Sequence, residues 1–124
     1  MTKSANGASM APYVSTCAKT QRIRELNDTL RAQLLGGRIM FSTGVQALGR
    51  ERVRRLMLSI IAFNEFDNAN DPHGEHDFGA VSEGDQRVFW KIDYYDRQLE
   101  FGSPDPSDPA VTIRVLTVML AEEY

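Results

Sequence analysis

The two histidines of the chain, His73 and His76, lie three residues apart in the stretch Asn70–Gly79, NDPHGEHDFG, with Asp71, Glu75 and Asp77 around them. Imidazole nitrogens and carboxylate oxygens are metal donors, so His73, His76 and Asp77 form a candidate metal set. A zinc ion held there would need at least three such ligands at about 2.0–2.2 Å, and it would turn bound water into a nucleophile near neutral pH. The spacing alone is weak. Pro72 and Gly74 oppose the helix that an HExxH motif requires. Counting from Asp67 as the first position of a calcium loop, the third is Ala69 and the sixth is Pro72 rather than glycine. The competing reading is a turn over Asp71-Pro72-His73-Gly74. In that reading His76 is hydrogen-bonded, and the turn aims Phe78 into the core beside Trp90.

Three further groups could do chemistry. In Arg87–Tyr95, Val88, Trp90, Ile92 and Tyr94 alternate with Phe89, Lys91, Asp93 and Tyr95, the period of two of a half-buried strand. The first set predicts a core face. The second mixes aromatic and charged residues, as interface hot spots do. With Asp96 and Glu100 beyond it, the set Phe89, Asp93, Tyr95, Asp96 and Glu100 is the candidate partner-binding surface. The run Arg50-Glu51-Arg52-Val53-Arg54-Arg55 could take phosphates, but solvation or pairing within the chain is the ordinary fate of such arginines. Cys17 has no histidine near it in sequence to activate it.

The composition bounds these readings. A length of 124 residues fits one domain, and 42% hydrophobic with 25% charged residues is globular. A single cysteine excludes an internal disulfide and any multi-cysteine metal site. No apolar run approaches the ~20 residues of a membrane span, and no secretion signal is evident at the start, so the expected location is the cytoplasm. The net charge of −3 conceals an asymmetry: Met1–Asn64 holds ten basic and three acidic residues, Glu65–Tyr124 four basic and fourteen acidic. Either the molecule has two faces of opposite sign or the halves interleave and neutralise each other.

The elements expected to position these groups form one domain. Residues 1–18 read as a flexible tail, and 19–124 as a single α+β domain. Ile23, Leu26, Leu30 and Leu34 make an amphipathic helix that Gly36-Gly37 stop. A short strand over Arg38–Ser42 follows, then a helical region from Thr43, broken near Gly49, with Val53, Leu56, Met57, Ile60 and Phe63 on its inner side. Phe66–Asp77 is loop. Phe78–Val81 and Arg87–Tyr95 form a hairpin around Ser82–Asp85, and Gln98–Gly102 is a third strand. Asp108 and Pro109 open a last helix whose buried face is Val111, Val115, Leu116, Met119 and Leu120. The predicted order is α-β-α-β-β-β-α, with an antiparallel sheet of three to four strands and about three helices packed on one face.

The segments RIRELNDTLR, NDPHGEHDFG, VFWKIDYYD and LEFGSPDPSDPAVTIRVLTVMLAEEY resemble a family of small bacterial proteins of unknown function, often encoded on plasmids and other mobile elements. The resemblance covers about Gln21–Tyr124 and carries no assigned catalytic residues or cofactor. It implies an accessory role, such as evading host defence. With no complete catalytic set, the expected function is a non-enzymatic protein-binding module acting through an acidic surface. A metal-dependent enzyme or metal-stabilised domain at the His73/His76 loop is the first alternative, and nucleic-acid binding by the Arg50–Arg55 helix the second. No cofactor is expected, and the expected partner is a protein rather than nucleic acid or a membrane.

Overall fold

The structure, a computed structural model, describes the backbone of residues 3–124 and the side chains of residues 17–124. Among the described residues it is an α+β domain of three helices and one four-stranded sheet. Helix α1 runs Lys3–Gln33, strand β1 Arg38–Phe41, helix α2 Thr43–Gln46 and helix α3 Arg50–Ile61. Strands β2 (Phe78–Glu83), β3 (Gln86–Tyr95) and β4 (Ile113–Leu120) follow, with single 3-10 turns at Pro109–Val111 and Ala121–Glu123.

Local chemistry explains the first breaks. Gly36 at φ 87° lies in the left-handed region beyond α1. Ser42 caps α2, its hydroxyl accepting from the Val45 amide at 3.2 Å. Gly49 at φ 94° then turns the chain into α3, where the sequence places the break. Helical backbone extends back to Lys3, so α1 takes in most of the stretch expected as a tail.

The sheet order is β1-β4-β3-β2. β2 and β3 form the expected hairpin, with Gly84 at φ 61° in its turn. β4 runs antiparallel to β3 and parallel to β1. Here two expectations are corrected. Ile113–Leu120 is a strand, not a helix; Asp108 caps only the 3-10 turn, its carboxylate taking the Ala110 amide at 2.9 Å. The run IRVLTVML satisfies both a helical stripe and a strand alternation. β-Branched Ile113, Val115, Thr117 and Val118 favour the pleat, and a central strand buried toward one end reads as nearly continuous apolar sequence. Gln98–Gly102 is not a third strand but a turn returning to β3 by one bridge, Tyr95 to Gly102.

Leu30 of α1, Val45 of α2, and Leu56 and Ile60 of α3 share one core with Val88, Trp90, Ile92, Leu116, Val118 and Leu120. All three helices therefore pack on the same side of the sheet. The buried set on β3 is the one its alternation predicts. No described helix is long and apolar enough to cross a membrane.

Candidate functional site

The histidine loop is held by its own polar side chains. Asp67 Oδ1 accepts from the amides of Ala69 and Asn70 at 2.9 and 3.0 Å, and Asn70 returns a bond to the Asp67 amide. The Gly74 amide donates to the Asp71 carbonyl at 3.2 Å, closing the predicted turn, with Gly74 at φ 72°. Asp71, 8% exposed, accepts the His76 amide at 3.0 Å. His76 itself sits at φ 57°. Its ring stacks on Phe66 at 3.8 Å and 3°. Nδ1 lies 2.9 Å from Asp28 Oδ1 and Nε2 3.6 Å from Asp71 Oδ2.

α1 supplies the other half of this contact. Arg31, a long charged residue of the kind that usually faces solvent, is 5% exposed. It donates to the carbonyls of Ile60 and Ile61 at 3.2 and 3.0 Å and to Asp28 at 3.2 Å. Its guanidinium lies over the rings of Phe66 and Trp90 at 5.5 and 5.7 Å, an attraction that offsets burial of the charge. One turn earlier, fully buried Asn27 bridges three elements. Its amide nitrogen donates to the Glu75 carbonyl at 3.0 Å and to Tyr94 Oη at 2.8 Å; its oxygen accepts from Arg114 Nε at 2.7 Å. Tyr94 in turn donates to the Glu75 carboxylate at 2.7 Å. Burial, then the hydrogen bond to the Glu75 carboxylate, pushes the Tyr94 phenol well above its usual range. Desolvation holds the Arg114 guanidinium below its ordinary value, opposed by Tyr94 and Glu75. Burial, followed by Glu75, raises the Asp77 carboxyl, and His73 partly offsets this.

The sequence set His73, His76 and Asp77 is not assembled into a ligand shell: among the described residues no three His, Cys, Asp or Glu side chains are placed to hold a metal ion. His73 is exposed, while His76 is engaged by Asp28 and Asp71. Asn27, Asp28, Arg31 and Arg114 are the members that sequence reasoning missed. The available signal was spacing: Asn27 and Arg31 are one helical turn apart, beside the buried positions Ile23 and Leu30. Phe78 is also corrected. It pairs with Lys91, so it shares the helix-free side of the sheet, and Gly79 lies against Trp90 instead. A Cβ on Gly79 would come within 2.6 Å of Trp90 Nε1.

The arginine-rich helix is largely paired. Arg52 Nε and Arg55 Nη2 reach Glu83 at 3.2 and 3.1 Å, and Arg54 reaches Glu51 at 2.9 Å. Arg55 above all holds the Glu83 carboxyl below its ordinary range. The two bridges to Glu83 join the basic half to the acidic half, as does Lys19 to Asp105 at 3.8 Å; the halves interleave here rather than forming separate faces.

The remaining candidates lie on the side of the sheet that no described helix covers. Cross-strand partners share a face. Phe89 is therefore grouped with Met119, Asp93 with Val115, and Tyr95 with Ile113. Phe78, Phe89 and Tyr124 form an aromatic trio with centroids 5.2, 5.9 and 5.4 Å apart. Lys91 pairs with Asp93, and Met40 on β1 is 54% exposed. Asp96 and Glu100 stand in the turn just beyond β3, where Asp96 accepts the Glu100 amide at 3.0 Å. The structure thus places Phe89, Asp93 and Tyr95 on one surface, with Asp96 and Glu100 at its end.

Neither curated proteins nor solved structures contain a significant match to the chain. A family model does match, over residues 41–123. That span holds the loop, the hairpin and Arg114, and leaves out the α1 residues Asn27, Asp28 and Arg31. Covering about two-thirds of the sequence, it shows that the chain belongs to the family described as protein of unknown function (DUF3768).

Proposed function

We propose that this protein is a non-enzymatic binding module that docks a protein partner on the helix-free face of its sheet. Phe89, Asp93 and Tyr95 form the contact, with Asp96 and Glu100 at its rim. The observation that supports this is the composition of that face: the aromatic trio and Met40 stand beside the Lys91–Asp93 pair with no helix over them. Half-buried Phe78 and Phe89 with exposed Tyr124 and Met40, set among charges, suit an interface centre with a polar rim. In the histidine loop, by contrast, Asp67, Asn70, Asp71, Glu75 and His76 are bonded within the chain. Carriage of such genes on mobile elements would make a host defence or replication factor the natural partner.

Affinity capture from a native host at low and high salt tests the reading, with Met40→Glu and Asp93→Lys as controls that retain the fold. One partner should be retained at low salt, weakened by salt, and lost with both variants. Capture that ignores both substitutions, or no partner at low salt, overturns it.

A further inference from the structure

The sheet ends in two edge strands, β1 and β2, that are not alike. β1 has 4 residues and begins with Arg38, which with Gly36, Gly37 and Arg97 lines a cavity of about 310 Å³. The Gln46 side chain donates to the Phe41 carbonyl of this strand at 2.8 Å. A short, charged and partly capped edge resists pairing with another chain. β2 has 6 residues, FGAVSE, with no proline and no charge before Glu83.

The register shows which groups of β2 are open. The Asp77 carbonyl takes the Ile92 amide at 2.9 Å, so in the antiparallel ladder Asp77, Gly79, Val81 and Glu83 direct their amides and carbonyls at β3. Phe78, Ala80 and Ser82 direct theirs outward. Among the described residues these outward groups have no hydrogen-bond partner. The core supports the same picture. Leu56 and Ile60 of α3 pack with Val88 and Trp90 of β3, which sets the helix inward of the sheet's rim.

A row of unpaired amides and carbonyls is a template for another strand. We propose that the β2 edge pairs antiparallel, about a two-fold axis, with the β2 edge of a second copy of this chain, joining two sheets into one. The register that uses the whole strand sets Ala80 opposite Ala80 and Phe78 opposite Ser82, and every outward group then gains a partner. The strand is complementary to itself in this register. On the helix-free face the large Phe78 meets the small Ser82; on the helix side Gly79 meets Val81. Asp77 falls opposite Glu83, whose charge is already met by Arg52 and Arg55. A strand from another protein could use the same backbone groups, but the copy matches the free edge in both length and side-chain size, and two-fold dimers are the commonest assemblies. The contact is distinct from the docking surface proposed above: Phe89, Asp93 and Tyr95 lie on β3 and stay open in the dimer.

Sedimentation equilibrium of the full chain over a wide concentration range, with amide hydrogen exchange followed by NMR, tests the proposal. The chain should move reversibly between one and two copies, and the amides of Phe78, Ala80 and Ser82 should become protected as the dimer forms. Ala80→Pro removes the outward amides at the axis, a change that an edge strand tolerates, and Ser82→Lys places a cation on the edge. Each should raise the dimer dissociation constant about tenfold or more, with Ser82→Lys, at an exposed position, retaining the parent's melting curve. Met40→Glu, on the docking face, should leave the dimer intact. A monomer at every concentration, a dimer that survives Ser82→Lys, or one lost with Met40→Glu overturns the proposal.

Discussion

The histidine loop and the cavity beside Gly36-Gly37 are both rich in ionisable residues, and they use them in opposite ways. At the loop, Asp28 and Glu75 meet side-chain donors, Asp71 takes the His76 backbone amide, and Asn27 and Arg31 supply bonds from α1. At the cavity, Arg38 and Arg97 have no ion-pair partner among the described residues, and Arg114 is hydrogen-bonded to Asn27 and the Pro106 carbonyl, with the Glu75 charge favouring its charged form. A metal-like or catalytic-looking composition thus coincides with a structural joint, while Arg38 and Arg97 keep their charge exposed at the end of the sheet. Residue types alone do not distinguish the two. Bonding capacity left over after folding does.

Breaking the joint should have the largest effect. Asn27→Ala removes the acceptor of the buried Arg114 Nε and a donor to Tyr94 and Glu75. Leaving a buried charge without its partner costs about 3 kcal/mol or more, so urea denaturation should show a loss of that size. An unchanged midpoint would mean that the joint contributes nothing to stability.

The two histidines provide a sharper internal contrast. His76→Ala loses the Phe66 stack and the Asp28 contact, and should cost about 2 kcal/mol. His73→Ala, at an exposed position, should stay within about 0.5 kcal/mol. Equal losses at the two positions would return His73 to consideration as a working residue.

The smallest effect concerns Asp77, whose carboxyl is raised by burial and by Glu75. A carboxyl raised on folding binds protons more readily in the native state. Its contribution therefore favours folding at low pH and is lost as pH rises from the unfolded value through the folded one. Asp77→Asn should accordingly be more stable than the parent at neutral pH, and that advantage should vanish once the solution is acid enough to protonate both states. Thermal melts across this range, showing instead a penalty at neutral pH, would mean that the charge is stabilising.

Much of this architecture was legible in the sequence. The break at Gly49, the β2–β3 hairpin and the inward set Val88, Trp90 and Ile92 follow from glycine conformation and a clear period of two. The turn at Asp71–Gly74 follows from its Pro and Gly. β4 was not legible because its apolar residues fit two periods at once, and only its slot between β1 and β3 decides between them. Phe78 was misplaced for a related reason: one residue of register moves a side chain through the sheet, and the bulk of Trp90 admits only Gly79 on the inner side. Arg31 and Arg114 escaped notice because a long charged residue ordinarily marks solvent. Their burial depends on acceptors, the carbonyls of Ile60, Ile61 and Pro106, that no periodicity reports.

The position of β4 in the middle of the sheet also governs the order of assembly. Among the described residues β1 hydrogen-bonds to no strand except β4, whose residues Val115–Val118 face Arg38–Phe41. Translation at roughly 5–20 residues per second leaves β1 waiting several seconds for its only neighbour to emerge. Until then the hairpin and helices can form locally, but the sheet stays in two pieces. Closing it requires a long-range parallel pairing, which slows folding and leaves strand edges open to association with other chains.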